Sequence, residues 1–452
     1  MTTDPHAPIS SLVASLANGE TTARKLVEAA LQRIADTGGE GARAFIKVDQ
    51  DGARRAADAQ DLLRQAGAAT SPLAGIPVAI KDLADIQGQV TTAGSRALAD
   101  RAPATADAPV VARMRAAGLV ILGRTNMTEF AYSGIGANPH YGTPSPPWDR
   151  ANRHIPGGSS SGSGVAVADG MAAAALGTDT GGSCRIPAAY CGVTGFKPTA
   201  RRVPTANVIP LSTSLDSIGP LARTVDCCAL VDAVMAGEKI APAQSVPLKG
   251  LRFFVPENTV LDNMDTEVAA DFEGALKALA NAGAHIQRGH FAPFDLIPAT
   301  LNKGGLAAAE SYAWHQDLIA GRQNLYDPNV AARIMMGAEQ SAAELIATMD
   351  ARKAAITAYE TALQDYDAIL SPTSPILPPR IADIEIEANF RRLNMLSLRN
   401  TLMINVVDGC SIALPMMQRG APPTSLMISA RAMADRRLFG IAKSVEQALA
   451  RA

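Results

Sequence analysis

The sequence predicts an α/β fold, a single large α/β/α domain whose central mixed β-sheet is covered by helices. Three observations point to it. Short apolar runs, Val78–Ile80 and the stretch through Ala175 and Leu176, read as strands buried on both faces. Amphipathic helical segments alternate with such runs along the chain. Neither a low-complexity linker nor an internal repeat divides the 452 residues, so one domain over 1–452 is expected.

Taken in order, "TTARKLVEAALQRIAD" (21–36) opens on a threonine cap and places Leu26, Ala29, Ala30 and Ile34 at helical spacing. "AADAQDLLRQAG" (56–67) is a second helix, ended by glycine. "LAGIPVAIKDLADI" (73–86) turns at Gly-Ile-Pro and yields the Val78–Ile80 strand, with Lys81 where the apolar run stops. Residues 108–131 read as helix, Gly118, buried strand, Gly123 and loop. A short helix is expected from about Ser161, then the strand through Ala175 and Leu176. Further on, 248–258 predicts a strand, 265–283 a helix, 284–291 a strand, 366–379 a strand running into a proline-rich loop, and 434–450 a final amphipathic helix.

Composition narrows the class. Hydrophobic residues make up 47% and charged residues 19%, enough apolar mass for a large core. The net charge of −2 argues against a nucleic-acid partner, which selects a basic surface. The start, "MTTDPHAPISSLVASL", lacks the charged and apolar regions of a secretory signal, and "MAAAAL" (171–176) is too short to span a bilayer. A cytoplasmic protein without a membrane partner is expected. The five cysteines, 184, 191, 227, 228 and 410, lack metal-ligand spacing, and reduced, mostly buried thiols are expected. The six histidines form no H-x-x-x-H pair, so no metal site is expected.

Two glycine–serine knots carry the chemistry. "GGSSSGSG" (157–164) and "GTDTGGSCR" (177–185) lie close together in the chain. Glycine at such density marks turns that need unusual backbone angles or the close approach of another group. "GSSSG" (158–162) also fits the nucleophile elbow G-x-S-x-G, with Ser160 at its centre and His285, His290 or His315 as the base. None of those histidines has a supporting motif. No phosphate-loop lysine follows the glycines. What remains are hydroxyls and a lysine. A serine attacks only when a base takes its proton, and a lysine can be that base when burial lowers its pKa. Lys81 ends an apolar strand; the plainer alternative is a surface lysine paired with Asp82.

The run 157–199, "GGSSSGSGVAVADGMAAAALGTDTGGSCRIPAAYCGVTGFKPT", resembles the amidase signature family. The segments 73–95, 123–134 and 214–225 are similar to further blocks of that family, and the resemblance is strongest between about 70 and 230. It implies the amidase signature fold, a signature core over about 70–230 and a substrate-shaping part over about 240–452. It implies a Ser–cisSer–Lys unit made of Ser183 as nucleophile, Ser159 as bridge in a cis peptide and Lys81 as base. The backbone N–H groups of Thr180, Gly181, Gly182 and Ser183 are then expected to form the oxyanion hole, where one donor is worth about 3–4 kcal/mol. Ser160, Asp179 and Arg185 are expected to support the site, as are Asn126, Glu129 and Asp216 to hold loops, Cys184 to be a buried small residue, and Tyr132 and Trp148 to line the acyl pocket.

The implied activity is hydrolysis of a small linear carboxamide through an acyl-enzyme, with no cofactor and no partner beyond the substrate and a second copy in a homodimer. The alternative is the glutaminase component of a tRNA-dependent amidotransferase, which delivers ammonia to a partner enzyme. A fatty amide hydrolase fits less well, for want of an N-terminal membrane helix. The C-terminal part departs from the family: Asp408 stands for glycine, Cys410 for proline, Ser425 for glycine and Met427 for glutamine. The substrate therefore cannot be transferred from relatives.

Overall fold

A computed structural model describes residue 4, residues 6–418 and residues 420–451; the first three residues and Pro5, read above for a targeting signal, lie outside it. Its strands are β1 (Phe45–Val48), β2 (Pro77–Lys81), β3 (Val120–Thr125), β4 (Ala174–Asp179), β5 (Thr194–Lys197) and β6 (Ser217–Ala222). There follow β7 (Arg252–Pro256), β8 (His285–Gly289), β9 (Ala368–Pro372), β10 (Cys410–Pro415) and β11 (Ser425–Ala430). All eleven join one sheet in the order β1-β3-β2-β4-β6-β5-β10-β11-β9-β7-β8. The sheet is mixed: β2 runs parallel to β3 and β4, and β7 to β8 and β9, while the remaining pairs are antiparallel. Helices cover it, as the alternation of segments implied.

The central strands β2, β3, β4, β5 and β6 are buried at every residue, which is why their sequences lack the in–out alternation of a half-solvated strand. The largest apolar cluster packs the Val225–Ala236 and Asp435–Leu449 helices on one face of this centre, with Phe196 against Phe439. On the other face the Ala23–Ala35 and Ser161–Ala168 helices pack through Val27, Leu31, Val165 and Val167.

Thr22 caps the Ala23–Ala35 helix by accepting from the Lys25 N–H. The helix expected over 56–67 instead spans Gln50–Gln65, because the Asp49 side chain accepts from the Gly52 N–H and starts it earlier. The strands predicted over 248–258, 284–291 and 366–379 form β7, β8 and β9, and the helix predicted over 434–450 spans Asp435–Leu449. The five cysteines are buried free thiols.

Two departures noted at the C-terminal end have structural accounts. Asp408 takes the left-handed conformation glycine favours, with φ +56°. Aspartate tolerates it, and the carboxylate accepts from the Ala200 N–H and from Arg201. Ser425 pairs its hydroxyl with that of Thr373 at 2.8 Å.

Candidate active site

Parallel pairing of β2 with β4 sets Val78, Ala79 and Ile80 beside Ala174, Ala175 and Leu176. The ends of both strands therefore open at the same edge, with Lys81 ending one and Thr178 near the end of the other. The first glycine–serine knot is drawn to this edge by three backbone bonds. Gly158 N–H donates to Gly134, Thr128 N–H to the Ser159 carbonyl, and Ser160 N–H to the Ser183 carbonyl at 3.3 Å. The Gly158–Ser159 peptide is cis. A Cβ on Gly158 would fall 2.5 Å from the Gly136 nitrogen, so only glycine allows this approach.

Lys81 is 0% exposed, and its Nζ lies 2.7 Å from both Ser159 Oγ and Thr178 Oγ1. Burial pulls the ammonium down from 10.5 to about 7, against the opposing pull of nearby acidic groups that include Asp179 and Asp216. The pairing of Lys81 with Asp82 weighed from the sequence does not form. The Asp82 carboxylate is taken by buried Arg124 at 3.0 Å, by the Thr92 hydroxyl and by the Gly94 N–H. With that anion claimed elsewhere, no carboxylate among the described residues forms an ion pair with the lysine, and burial prevails.

Ser183 follows β4 in a loop anchored by Asp179. That carboxylate accepts from the N–H groups of Gly182, Cys184 and Arg185, from the Arg185 guanidinium at 2.9 Å and from Asn405 Nδ2 at 2.9 Å. Burial opposes the charge, but Arg185 more than offsets it and the carboxyl falls to about 2. This corrects one expectation: the Gly182 N–H belongs to Asp179 and is not free to meet an oxyanion. The clamp leaves the N–H groups of Thr180, Gly181 and Ser183 outside it. Thr401 Oγ1 donates to the Gly181 carbonyl at 2.7 Å from the other side.

Arg185→Met is expected to destabilise the fold by about 3–5 kcal/mol, since it strands a buried carboxylate without its countercharge. Denaturant unfolding would show it. A loss below about 1 kcal/mol would mean that the backbone N–H groups alone satisfy Asp179.

Ser160 exchanges 3.4 Å hydrogen bonds with the backbone of Thr178 and so ties the two knots together. Among its three candidate bases none is placed to make an elbow triad: His315 is walled in by Phe130 and Tyr326, exposed His290 pairs with Asp295, and His285 lies on β8 at the edge of the sheet. Asp216 accepts from the Thr180 hydroxyl and from the N–H groups of Leu211 and Ser212, and burial raises it to about 6. Asn126 donates to the carbonyls of Arg43 and Gly142. Glu129 accepts from Ser95 Oγ at 2.6 Å and the Asp327 N–H at 2.6 Å, and lies 2.9 Å from His140 Nε2. Cys184 is buried, and its thiol is pushed well up by that burial, so it is a neutral packing group.

Ser183 opens onto a cavity of about 910 Å³ shared with Tyr132, Ser133, Thr180, Gly181, Leu398 and Arg333. Tyr132 lines this cavity. Trp148 does not: its ring packs against His154 at a 44° tilt with centroids 4.5 Å apart, outside the cavity. Among the described residues Ser183 Oγ makes no hydrogen bond, so Ser159 is joined directly to Lys81 and not to Ser183. Sequence reasoning missed Thr178, Asn405 and Arg333. Thr178 alone had a signal, since it sits beside Asp179 in the second knot.

Residues 25–439 match the family model Amidase. The chain belongs to the amidase family. It is 35% identical over 445 residues to the 2-amino-5-chloromuconic acid deaminase of Comamonas testosteroni, covering 98% of this chain and 96% of that one. It is 38% identical over 411 residues to a component of the glutamyl-tRNA(Gln) amidotransferase of Roseiflexus castenholzii, covering 81% of each. The crystal structure of an amidase superposes with a TM-score of 0.88 at 29% identity, covering 98% of this chain and 99% of that one. This amidase is therefore an amidase-signature hydrolase with the amidase signature fold. Among its described residues no helix is long and apolar enough to cross a membrane, and no group of three or more His, Cys, Asp or Glu is placed to hold a metal ion.

Proposed function

We propose that this amidase, acting as one unit over residues 1–452, hydrolyses the C–N bond of a small linear carboxamide to a carboxylate and ammonia or an amine. The observation that carries the reading is the buried Lys81 amine, at about 7 and 2.7 Å from Ser159 Oγ, beside a cavity that contains Ser183.

Neutral Lys81 accepts the Ser159 hydroxyl proton while Ser159 takes the proton of Ser183, whose Oγ attacks the amide carbonyl. The link from Ser159 to Ser183 closes when substrate positions the nucleophile. Negative charge gathers on the carbonyl oxygen and is met by backbone N–H groups of Gly181 and Ser183, with Thr180 adjacent. Ser159 returns a proton to the leaving nitrogen, and the amine departs. Water then attacks the acyl-enzyme along the same relay in reverse. Thr178 Oγ1 holds the lysine amine in line, and Asp179 and Arg185 hold the loop. Every step uses groups of this chain, with no cofactor.

The experiment is a panel of primary and secondary amides, glutamine included, assayed for ammonia or amine release with the purified chain alone. Turnover of at least one simple amide is expected. Hydrolysis of glutamine only, and only in the presence of a second protein, would instead support the amidotransferase reading, which the second relative keeps open. The nearly full-length match to a relative named for a small organic acid supports an enzyme acting on a small molecule. Sedimentation would report the expected homodimer.

A further inference from the structure

The Glu387–Val406 helix bears on both glycine–serine knots. Its Thr401 and Asn405 hold the loop of the nucleophile, through the Gly181 carbonyl and the Asp179 carboxylate. Two turns before Thr401, the same helix reaches the other knot through Asn394. That residue is out of keeping with its surroundings. Phe390, Leu398 and Leu402 line the cavity at Ser183, yet an amide stands among them and is 4% exposed. A buried amide is costly unless it is hydrogen-bonded, so an asparagine here needs partners that a leucine would not.

The partners lead to the bridging serine. Asn394 Oδ1 accepts from the Gly134 N–H at 2.9 Å and from the Ser133 hydroxyl at 2.9 Å. A backbone N–H can only donate, so the atom that meets it is the oxygen and the orientation of the amide is fixed. The Gly134 carbonyl in turn accepts from the Gly158 N–H at 2.8 Å, just before the cis peptide that presents Ser159. Gly134 thus holds the side of the knot that precedes Ser159, and the Thr128 N–H holds the side that follows, through the Ser159 carbonyl. Asn394, Thr401 and Asn405 stand at i, i+7 and i+11, on one face of the helix. About 10 Å of α-helix separates the first two. One rigid element therefore grips both the knot of the bridge and the loop of the nucleophile.

We propose that Asn394 is a positioning residue for Ser159: through Gly134 it sets where the bridging hydroxyl stands relative to Ser183, whose loop Thr401 and Asn405 locate from the same helix. The proposal rests on the relay described above, in which the link between Ser159 and Ser183 has to close. Asn394 exchanges no proton, and its effect reaches the reaction through geometry. That lever is large, because a displacement of about 1 Å at a reacting group costs about 100-fold in rate.

The test is a double-mutant cycle between Asn394 and Ser159. It is read by the rate at which a fluorophosphonate labels Ser183, with kcat on the best amide of the panel beside it. N394L suits the apolar wall and removes the acceptor, and is expected to slow labelling by about 100-fold. N394D keeps an acceptor oxygen and should recover about tenfold of that loss, the worth of one hydrogen bond. Added to Ser159→Ala, N394L should cost less than about threefold, because the group that Asn394 places is already gone. Denaturant unfolding shows which variants fold, and N394A takes the place of N394L if the leucine does not. Wild-type labelling in N394L, no recovery in N394D, or a loss in the Ser159→Ala background as large as in the wild type would overturn the proposal. Full-rate labelling of Ser159→Ala would refute the relay itself, and the placement of Ser159 with it. Absence of turnover on every amide, with the cycle still non-additive in labelling, would refute the hydrolase reading and leave the role of Asn394 standing.

Discussion

Ser183→Ala is expected to lower kcat by about a million-fold and to abolish labelling by a fluorophosphonate, because it removes the cavity hydroxyl that the proposed Lys81–Ser159 relay serves. Ser183 is 3% exposed, enough to open on the cavity, whereas Ser159 and Ser160 are 0% exposed. Peptide mapping of the wild-type adduct should therefore find the label on Ser183. A label on Ser160 would transfer the nucleophile to the first knot and defeat the relay. Because relay groups act as a unit, adding Lys81→Ala to Ser183→Ala should cost almost nothing more. The fold should tolerate the change, since Ser183 Oγ contributes no hydrogen bond to the loop.

Lys81→Arg should lose about 10³- to 10⁴-fold in kcat, close to the loss in Lys81→Ala, because arginine never offers a lone pair at accessible pH. The wild-type profile follows from the same group. Below about 7 the Lys81 amine is protonated and, in the proposed relay, could not accept the Ser159 proton, so kcat/KM is expected to fall about tenfold per pH unit. Above that value it reaches a plateau. Asp216, held up at about 6 by burial, titrates on the same acidic limb and touches the site through the Thr180 hydroxyl. Asp216→Asn separates the two: the Lys81 inflection should survive it, moved lower because the Asp216 charge holds the lysine up. Near-normal rates in Lys81→Arg would mean that a positive charge, and no base, is needed there.

Much of the site was legible because its residues lie in two short stretches whose glycines have a steric purpose. Gly182 has φ +136°, and a Cβ there would fall 2.1 Å from Thr401 Oγ1. Lys81 was legible as the polar end of an apolar strand, and its burial follows from the parallel neighbours on both sides of β2. What stayed hidden depends on tertiary pairing. The use of the Gly182 N–H by Asp179, the grip of Asn405 on the same carboxylate and the aim of Arg333 are all set by elements distant in the chain. Trp148 misled because an aromatic in a glycine- and proline-rich segment suits a pocket wall as well as a tilted contact with His154. Strands β10 and β11 pair through six antiparallel partners, a register that local text does not announce. The helices Gly305–Arg322, Ala342–Ala362 and Glu387–Val406 went unpredicted, although the last two shape the cavity through Arg352 and Leu398.

The Glu387–Val406 helix serves two neighbouring constituencies. Thr401 and Asn405, one turn apart, grip the Gly181 carbonyl and the Asp179 carboxylate, while Asn394, Leu398 and Leu402, also one turn apart, form cavity wall. The row that holds the machinery and the row that meets the substrate are therefore separately editable. Mutations at 398 and 402 can retune what is accepted while the chemistry stays inherited, whereas Asn394 also accepts from the Gly134 N–H, whose carbonyl holds the first knot, and belongs to both rows. The same arrangement sets a limit on such divergence. Inserting or deleting a single residue between 394 and 398 would rotate the preceding part of the helix by about 100° against the turns that carry Leu398, Thr401 and Asn405, and Asn394 would leave the cavity wall.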